Sequence, residues 1–478
     1  IFYFNKILLA MTTPPSHIHL LGICGTGMAA LAGILKELGY RVTGSDEHVY
    51  PPMSTFLEGL AIPLQNGYHP ANLDPRPDLV VVGNVIRRDN PEAQAVEELK
   101  LPRLSLPEAL NRFLVGDRRS IVVAGTHGKT TTTALLAWLL HAAGRDPGFM
   151  VGGLAKNFAS NYRVGQGPWV VLEGDEYDTA YFDKRPKFVH FHPEVAILTS
   201  VEFDHADIYQ NLDHVIAAFE SFLVQLPPAS RVLAWGDAPL VRRVAEKSAG
   251  AVVFYGMEEA AAWRALDVVP GAGGMHFSVL REGKLWGRFW TPLLGAHNIL
   301  NSLAALAAGA EVGLVPEELA PALKSFQGVK RRLEMVGEYR GILVVEDFAH
   351  HPTAVAATLA AVRRGYPGRR LVAIFEPRTN TSRRAIFQEP YARAFDEADL
   401  IIVREPPDLW KVPEGEQFSS AQLAADLTAR GKPAFAFADT DRLLEGLLPL
   451  LQSGDLALIM SNGDFDHLVS RLCKELGG

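Results

Sequence analysis

At 478 residues the chain is too long for one ordinary domain, and about 150 residues per domain suggests three. With 48% apolar and 21% charged residues it has the make-up of a globular protein that can bury several cores. A net charge of −8 with no long basic run argues against a nucleic-acid partner, and no apolar run is long enough to span a membrane.

Residues 1–16 do not begin with Met, and Met11 is a plausible start, so this segment reads as an upstream extension outside the fold. No secretory cleavage pattern is present, and Cys24 and Cys473 have neither disulfide nor metal-ligand spacing. Together these predict a cytoplasmic protein with reduced thiols.

The first domain, residues 17–115, opens with a strand at 18–23, a glycine turn and a helix through Leu38. Further strands are predicted at 41–44, 79–83 and 103–104. Strands alternating with helical patterns imply a parallel, doubly wound sheet. The turn, Gly22-Ile23-Cys24-Gly25-Thr26-Gly27, continues through Met28 into the helix, and Asp46 closes the next strand. It would hold any diphosphate, so a nucleotide-sugar fits as well as a dinucleotide. A dehydrogenase reading rests on this turn alone.

The second domain, residues 116–330, restarts with a strand at 121–124 and a helix at 131–143. Strands at 169–172 and 195–199 follow, then a mixed region with a hairpin at 276–290, and a helix at 298–312. Between the first strand and helix lies Gly125-Thr126-His127-Gly128-Lys129-Thr130-Thr131. Glycines let backbone N–H groups approach phosphate oxygens, and the helix N-terminus adds a favourable dipole. Lys129 can bridge the β- and γ-phosphates of ATP, and the Thr130 hydroxyl can bind Mg²⁺. The G-x-x-G-K-T spacing is shorter than the usual phosphate-loop pattern. Glu173 ends one strand, and Glu202, Asp204, His205 and Asp207 follow another, where ligands collect in such sheets. Gly295-Ala296-His297-Asn298 enters the last helix, and an Asn there can read an adenine edge.

The third domain, residues 331–478, predicts strands at 343–346, 371–375, 400–403, 434–438 and 456–460, again a parallel sheet. Lys330-Arg331-Arg332 at the junction can reach transferring phosphate charge, and Asp347 can hold a ribose hydroxyl. Arg378 and Arg383-Arg384 follow the strand at 371–375.

As an ordered set these motifs resemble the Mur ligase family, over essentially residues 17–470. The matching runs are GICGTGM (22–28), GTHGKTTT (125–132), EGDE (173–176), DHAD (204–207), GAHN (295–298) and DFAHHP (347–352). The resemblance implies an α/β fold of three domains: an N-terminal Rossmann-like domain, a central P-loop ATPase-like domain with a parallel or mixed sheet, and a C-terminal Rossmann-like domain. In that order they would bind a UDP-sugar, ATP and the incoming amine. It further implies a ligase using ATP and Mg²⁺ that activates the UDP-N-acetylmuramate carboxylate as an acyl phosphate.

By the same resemblance Gly125, Thr126, His127, Gly128, Lys129, Thr130 and Thr131 hold ATP. Thr130, Glu173 and His205 hold the metal, and His297 and Asn298 meet adenine. Arg331, Arg332 and Asp347 reach ATP on closure. Lys129, His127, His350 and Arg332 form the catalytic set, with the two histidines near the reacting carboxylate. Gly25, Thr26, Gly27, Met28, Asp46 and His69 are assigned to the sugar-nucleotide, and Arg378, Asn380 and Arg383 to the peptide.

Residues 215–220 (VIAAFE) lack the lysine that several family members carbamylate, as does the alanine-adding branch. The runs at 176–185, 201–207, 375–381 and 460–463 instead resemble the recycling branch, which attaches a murein tripeptide, L-alanyl-γ-D-glutamyl-meso-diaminopimelate. Asp464-Phe465-Asp466 departs from that branch's glycine-rich stretch. The tripeptide is therefore the favoured amine, with L-alanine in peptidoglycan biosynthesis as the alternative. The expected assembly is a monomer or weak homodimer, with no nucleic-acid or membrane partner. A non-catalytic nucleotide sensor on the same scaffold is opposed by the intact Lys129, Thr130, Glu173 and His205 set.

Overall fold

The structure, a computed structural model, describes residues 15–477. Residues 1–14, most of the segment read as an upstream extension, lie outside the described residues. Ser16 already belongs to the fold, because its amide and hydroxyl both donate to Asp78, at 2.8 and 2.9 Å. The chain falls into two compact units: residues 15–201, 216–254 and 304–318, and residues 202–215, 255–303 and 319–477.

The first unit opens with a sheet of β1 (His17–Leu21), β2 (Arg41–Asp46), β3 (Leu64–Asn66), β4 (Leu79–Val82) and β5 (Arg103–Ser105). Its order is β3-β2-β1-β4-β5 and every pairing is parallel. The order reverses between β1 and β4, which places a ligand crevice beyond the carboxyl end of β1, where the glycine turn begins.

The same unit holds β6 (Arg119–Ala124), β7 (Gly148–Ala155), β8 (Ser160–Arg163), β9 (Trp169–Gly174), the small hairpin β10 (Asp178–Ala180) and β11 (Asp183–Pro186), then β12 (Val195–Leu198) and β13 (Arg231–Trp235). Strands run β13-β12-β6-β9-β7-β8, parallel except for the β8 edge. Ala124 lies opposite both Leu198 and Gly174, so three strand ends finish level. Whatever follows each of them is gathered at one edge.

After β14 (Ala251–Gly256), the second unit contains the antiparallel run β15 (Trp263–Gly271), β16 (Gly274–Arg281) and β17 (Lys284–Thr291). It continues with β18 (Glu334–Tyr339), β19 (Ile342–Asp347), β20 (Arg370–Phe375), β21 (Leu400–Arg404), β22 (Ala434–Phe437) and β23 (Asp455–Met460), in the order β18-β19-β23-β20-β21-β22.

Strand alternation shapes this core. Leu343, Val345, Leu371, Ala373, Phe375, Ile401 and Val403 face one helical layer, while Ile342, Val344, Val372, Ile374, Leu400 and Ile402 face the other. Both faces are covered, which is why these strands read as unbroken apolar runs. One expectation is corrected: the sheet is not wholly parallel. β18 pairs antiparallel with β19 across Arg340-Gly341, both at positive φ, as a tight two-residue hairpin requires.

Candidate functional site

β6 delivers the chain to Gly125 at φ 140°, where a Cβ would lie 2.1 Å from Thr199 Oγ1 and 2.8 Å from Ser200 N. Only glycine fits. Gly128, at φ 81°, precedes the helix Lys129–Ala142 without a side-chain cap. The first-turn N–H groups are thus left facing the loop, where an anion can take them. The neighbouring strand end fastens the loop: Ser200 Oγ accepts from His127 N at 2.8 Å, and Thr199 Oγ1 donates to His127 O at 2.5 Å.

Lys129 Nζ donates to Gly125 O at 2.5 Å, Thr126 O at 3.2 Å and Glu176 at 2.9 Å. Burial works against its charge, but the carboxylates of Glu176, Asp175 and Glu173 outweigh it and hold the lysine above its ordinary pKa. Asp175 is likewise opposed by burial, yet Lys187 and Lys129 bring it down to about 2. Thr130 Oγ1 donates to Glu173 at 3.0 Å, and Gly152 N donates to the other carboxylate oxygen at 2.7 Å. A hydroxyl and a carboxylate held this close form the hard-oxygen pair that Mg²⁺ prefers.

The remaining expected ATP residues lie in the second unit. His205, at φ 56°, donates its amide to Asp204 at 2.7 Å, and Ala206 N donates to Thr381 Oγ1 at 3.0 Å. Asp204 is 3.4 Å from His350 Nε2, and His350 Nδ1 is 3.0 Å from Phe348 O. Burial would raise the Asp204 pKa, but hydrogen bonding to His350 and the nearby histidines hold it well below the usual carboxylate range. His351 caps the helix Pro352–Gly365, its Nδ1 accepting from Thr353 N at 3.3 Å and its Nε2 3.2 Å from Phe203 O. Glu202 accepts from Thr353 Oγ1 at 2.7 Å.

Asp347 ends β19 with both oxygens engaged, one by Leu333 N at 2.7 Å and the other by Ala349 N at 2.8 Å. Arg331 is committed too: it pairs with Glu346 at 2.6 Å and donates to Ser461 O at 2.8 Å. Arg332 instead lies over the Phe348 ring at 4.4 Å. Asn298 is buried, donating to Leu294 O at 2.8 Å and accepting from Asn301 at 3.0 Å. Its amide fixes the helix start, which leaves His297 as the more available group for a base. Burial lowers the His297 pKa against the pull of Asp347, keeping the ring neutral.

Beyond the third-sheet strands, Glu376 is fully buried and accepts from Ser461 Oγ at 2.6 Å and from Arg404. Arg378 is half-buried and donates to Asp464 at 3.2 Å. Asn380 is exposed and accepts from Arg383 at 3.4 Å. Arg383 is only 6% exposed and lies 3.5 Å from Asp408, so it braces the segment from behind.

In the first sheet, Gly25 and Thr26 are exposed and Gly27 is half-buried, whereas Met28 is packed into the core behind them. Asp46 holds the turn itself, accepting from Cys24 N at 2.9 Å and His48 N at 3.1 Å. Burial and the nearby Asp46 push the Cys24 thiol up to about 11, so it stays protonated. His69 is exposed, and its amide donates at 3.3 Å to Glu92. Glu92 is a buried hub that sequence reasoning missed, joined by His19 Nε2 at 2.6 Å, Ser45 Oγ at 3.0 Å and Asn72 Nδ2 at 2.9 Å. Its partners lie 20 to 73 residues away, so no local pattern marked it.

Three family descriptions match consecutive stretches of the chain. They are "Mur ligase family, catalytic domain" over residues 17–118, "Mur ligase middle domain" over 123–309 and "Mur ligase, glutamate ligase domain" over 331–463. The UDP-N-acetylmuramate–L-alanyl-γ-D-glutamyl-meso-2,6-diaminoheptandioate ligase of Escherichia coli (strain K12) is 41% identical over 463 residues, 96% of this chain and 98% of that protein. The chain belongs to the Mur ligase family. Within this family it is also similar to the UDP-N-acetylmuramate–L-alanine ligase of Symbiobacterium thermophilum, 36% identical over 96% of this chain and 94% of that protein. Among solved structures, a murein peptide ligase from Psychrobacter arcticus superposes with a TM-score of 0.71 at 35% identity, covering 97% of this chain and 99% of that one. The α/β architecture, with three large sheets and the small β10–β11 hairpin, is thus that of a Mur ligase. No described helix is long and apolar enough to cross a membrane.

Proposed function

We propose that this Mur ligase joins the carboxylate of UDP-N-acetylmuramate to the α-amine of L-alanyl-γ-D-glutamyl-meso-diaminopimelate in peptidoglycan recycling. Identity of 41% to a ligase named for that peptide, against 36% to an alanine ligase, is the observation that carries the choice of amine. In this reading residues 17–115, 116–330 and 331–478 are the sugar-nucleotide, ATP and peptide domains of a cytoplasmic monomer or weak homodimer. It forms a C–N bond as an acid–amino-acid ligase.

The carboxylate is a poor electrophile at neutral pH. Transfer of the γ-phosphoryl group of ATP gives an acyl phosphate and ADP. The deprotonated peptide amine then attacks the carbonyl carbon and inorganic phosphate leaves, giving the amide. Lys129, kept cationic by its carboxylate neighbours, offsets charge that develops on the phosphates. His127 and His350 are assigned to the reacting carboxylate, and Arg332, Asp347 and His297 to ATP. Thr130 and Glu173, with His205, would hold Mg²⁺, whose chemistry is to neutralise phosphate charge.

Phosphate release tests the reading. It should require ATP, UDP-N-acetylmuramate and the tripeptide together. Release that proceeds equally with the peptide omitted would contradict a ligase.

A further inference from the structure

The loop that leaves β21 carries a feature the reaction above does not use. Trp410 is 78% exposed, the most open of the large apolar side chains among the described residues. A single exposed apolar side chain is ordinary, but tryptophan is among the residues most enriched at binding hot spots, so an indole this open is a candidate contact. The residue stands in the short turn Leu409–Lys411, which Asp408 opens at φ 57°.

The turn is braced on all sides. Lys411 Nζ pairs with Asp408 at 2.8 Å, and Gln417 Nε2 donates to Leu409 O at 3.1 Å and Val412 O at 3.0 Å. Asp408 faces the buried Arg383 at 3.5 Å, Phe418 N donates to Arg383 O at 2.8 Å, and Ala385 N donates to Glu416 O at 2.7 Å. Trp410 is therefore presented by the loop after β21, which these bonds tie at Arg383 and Ala385 to the neighbouring loop after β20, the one that carries Arg378 and Asn380. Both strands behind it, β20 and β21, point their carboxyl ends this way, the side on which parallel sheets bind ligands.

The charges here are mixed. Lys411 Nζ lies 5.2 Å from the indole centroid, and Asp408, which pairs with Lys411 at 2.8 Å and faces Arg383 at 3.5 Å, supplies the opposite sign. A purely anionic ligand would call for cations alone. A zwitterionic end on an apolar stem calls for both signs beside an aromatic face, and the last residue of the tripeptide offers that: a straight methylene chain ending in an amino and a carboxylate group.

We propose that Trp410 is a specificity platform for the far residue of the amine substrate, with the methylene chain on the indole and the zwitterionic end among the flanking charges. This rests on the tripeptide reading above. The test compares the full-length wild type, Trp410→Ala and Trp410→Phe with the tripeptide and with L-alanyl-γ-D-glutamate, which lacks the last residue.

In Trp410→Ala the KM for tripeptide should rise about tenfold or more, as loss of a large aromatic contact implies. The KM values for ATP and UDP-N-acetylmuramate and the kcat/KM for the dipeptide should stay within about twofold, the range of a neutral surface change. Trp410→Phe should restore most of the tripeptide affinity. If the wild type uses the tripeptide and Trp410→Ala leaves its KM unchanged, or raises every KM alike, the platform is wrong while the ligase reading stands. If the wild type prefers L-alanine to the tripeptide, both are overturned.

Discussion

The turn at residues 22–27 and the loop at 125–129 leave parallel strands in the same way, yet their side chains divide the labour. In the first, Gly25 has ordinary extended backbone, φ −64° and ψ 138°, and a Cβ there would sit 3.4 Å from its nearest neighbour. Asp46, at the end of the next strand, is spent on the backbone amides of Cys24 and His48. In the second, Gly125 is locked by sterics, and Lys129 sits among Glu173, Asp175 and Glu176. The backbone device is shared and suits any phosphate. The buried lysine with its carboxylates equips only the second to handle charge that moves during a reaction. Two loops built on one backbone plan thus differ in their side-chain inventory.

The largest effect should come from removing that inventory. Lys129→Ala should lower the rate of phosphate release about a hundredfold or more with the fold retained, judged by an unchanged circular dichroism spectrum and melting temperature. Near-normal turnover would erase the distinction between the two turns. Next comes the peptide side: Arg378→Ala should raise the KM for tripeptide by roughly ten- to hundredfold, the equivalent of about 1.5–3 kcal/mol for a charge-assisted contact. The KM for ATP should barely move, and a matching rise in it would remove Arg378 from the peptide site.

The two glycines test the comparison through stability. Gly125→Ala should cost about 1–3 kcal/mol through the clash with Thr199 and the strained φ, read from urea midpoints. Gly25→Ala should stay within about 0.5 kcal/mol. Equal losses would mean the two turns are equally constrained. The smallest expected change is in metal dependence. Glu173→Gln keeps the hydrogen-bonding shape but removes the charge, so half-maximal rate should need several-fold more Mg²⁺, and an unchanged Mg²⁺ titration would make Glu173 structural.

Much of this was legible in the sequence where local pattern and tertiary fate agree. The apolar runs predicted at 343–346, 371–375, 400–403 and 456–460 became β19, β20, β21 and β23, because strands covered on both faces cannot afford polar alternation. The closeness of Thr130 and Glu173 followed from placing both beyond strand ends, and register bore it out. Less was readable where the signal is short or remote. β3 is only Leu-Gln-Asn and owes its existence to pairing with β2. β18, Glu-Met-Val-Gly-Glu-Tyr, lacks an apolar run because it lies on an edge. The Asp204–His350 pair joins residues far apart in the chain, and the engagement of Asn298 by Asn301 appears only once the helix start is built. Arg383 looked like a substrate contact from its position after β20, but burial turned it toward Asp408.

The central claim is the choice of amine, and the most direct test is kcat/KM for L-alanyl-γ-D-glutamyl-meso-diaminopimelate and for L-alanine at saturating ATP, Mg²⁺ and UDP-N-acetylmuramate. The account predicts a clear preference for the tripeptide. A preference for free L-alanine would contradict it and move this chain to the alanine-adding branch of the family.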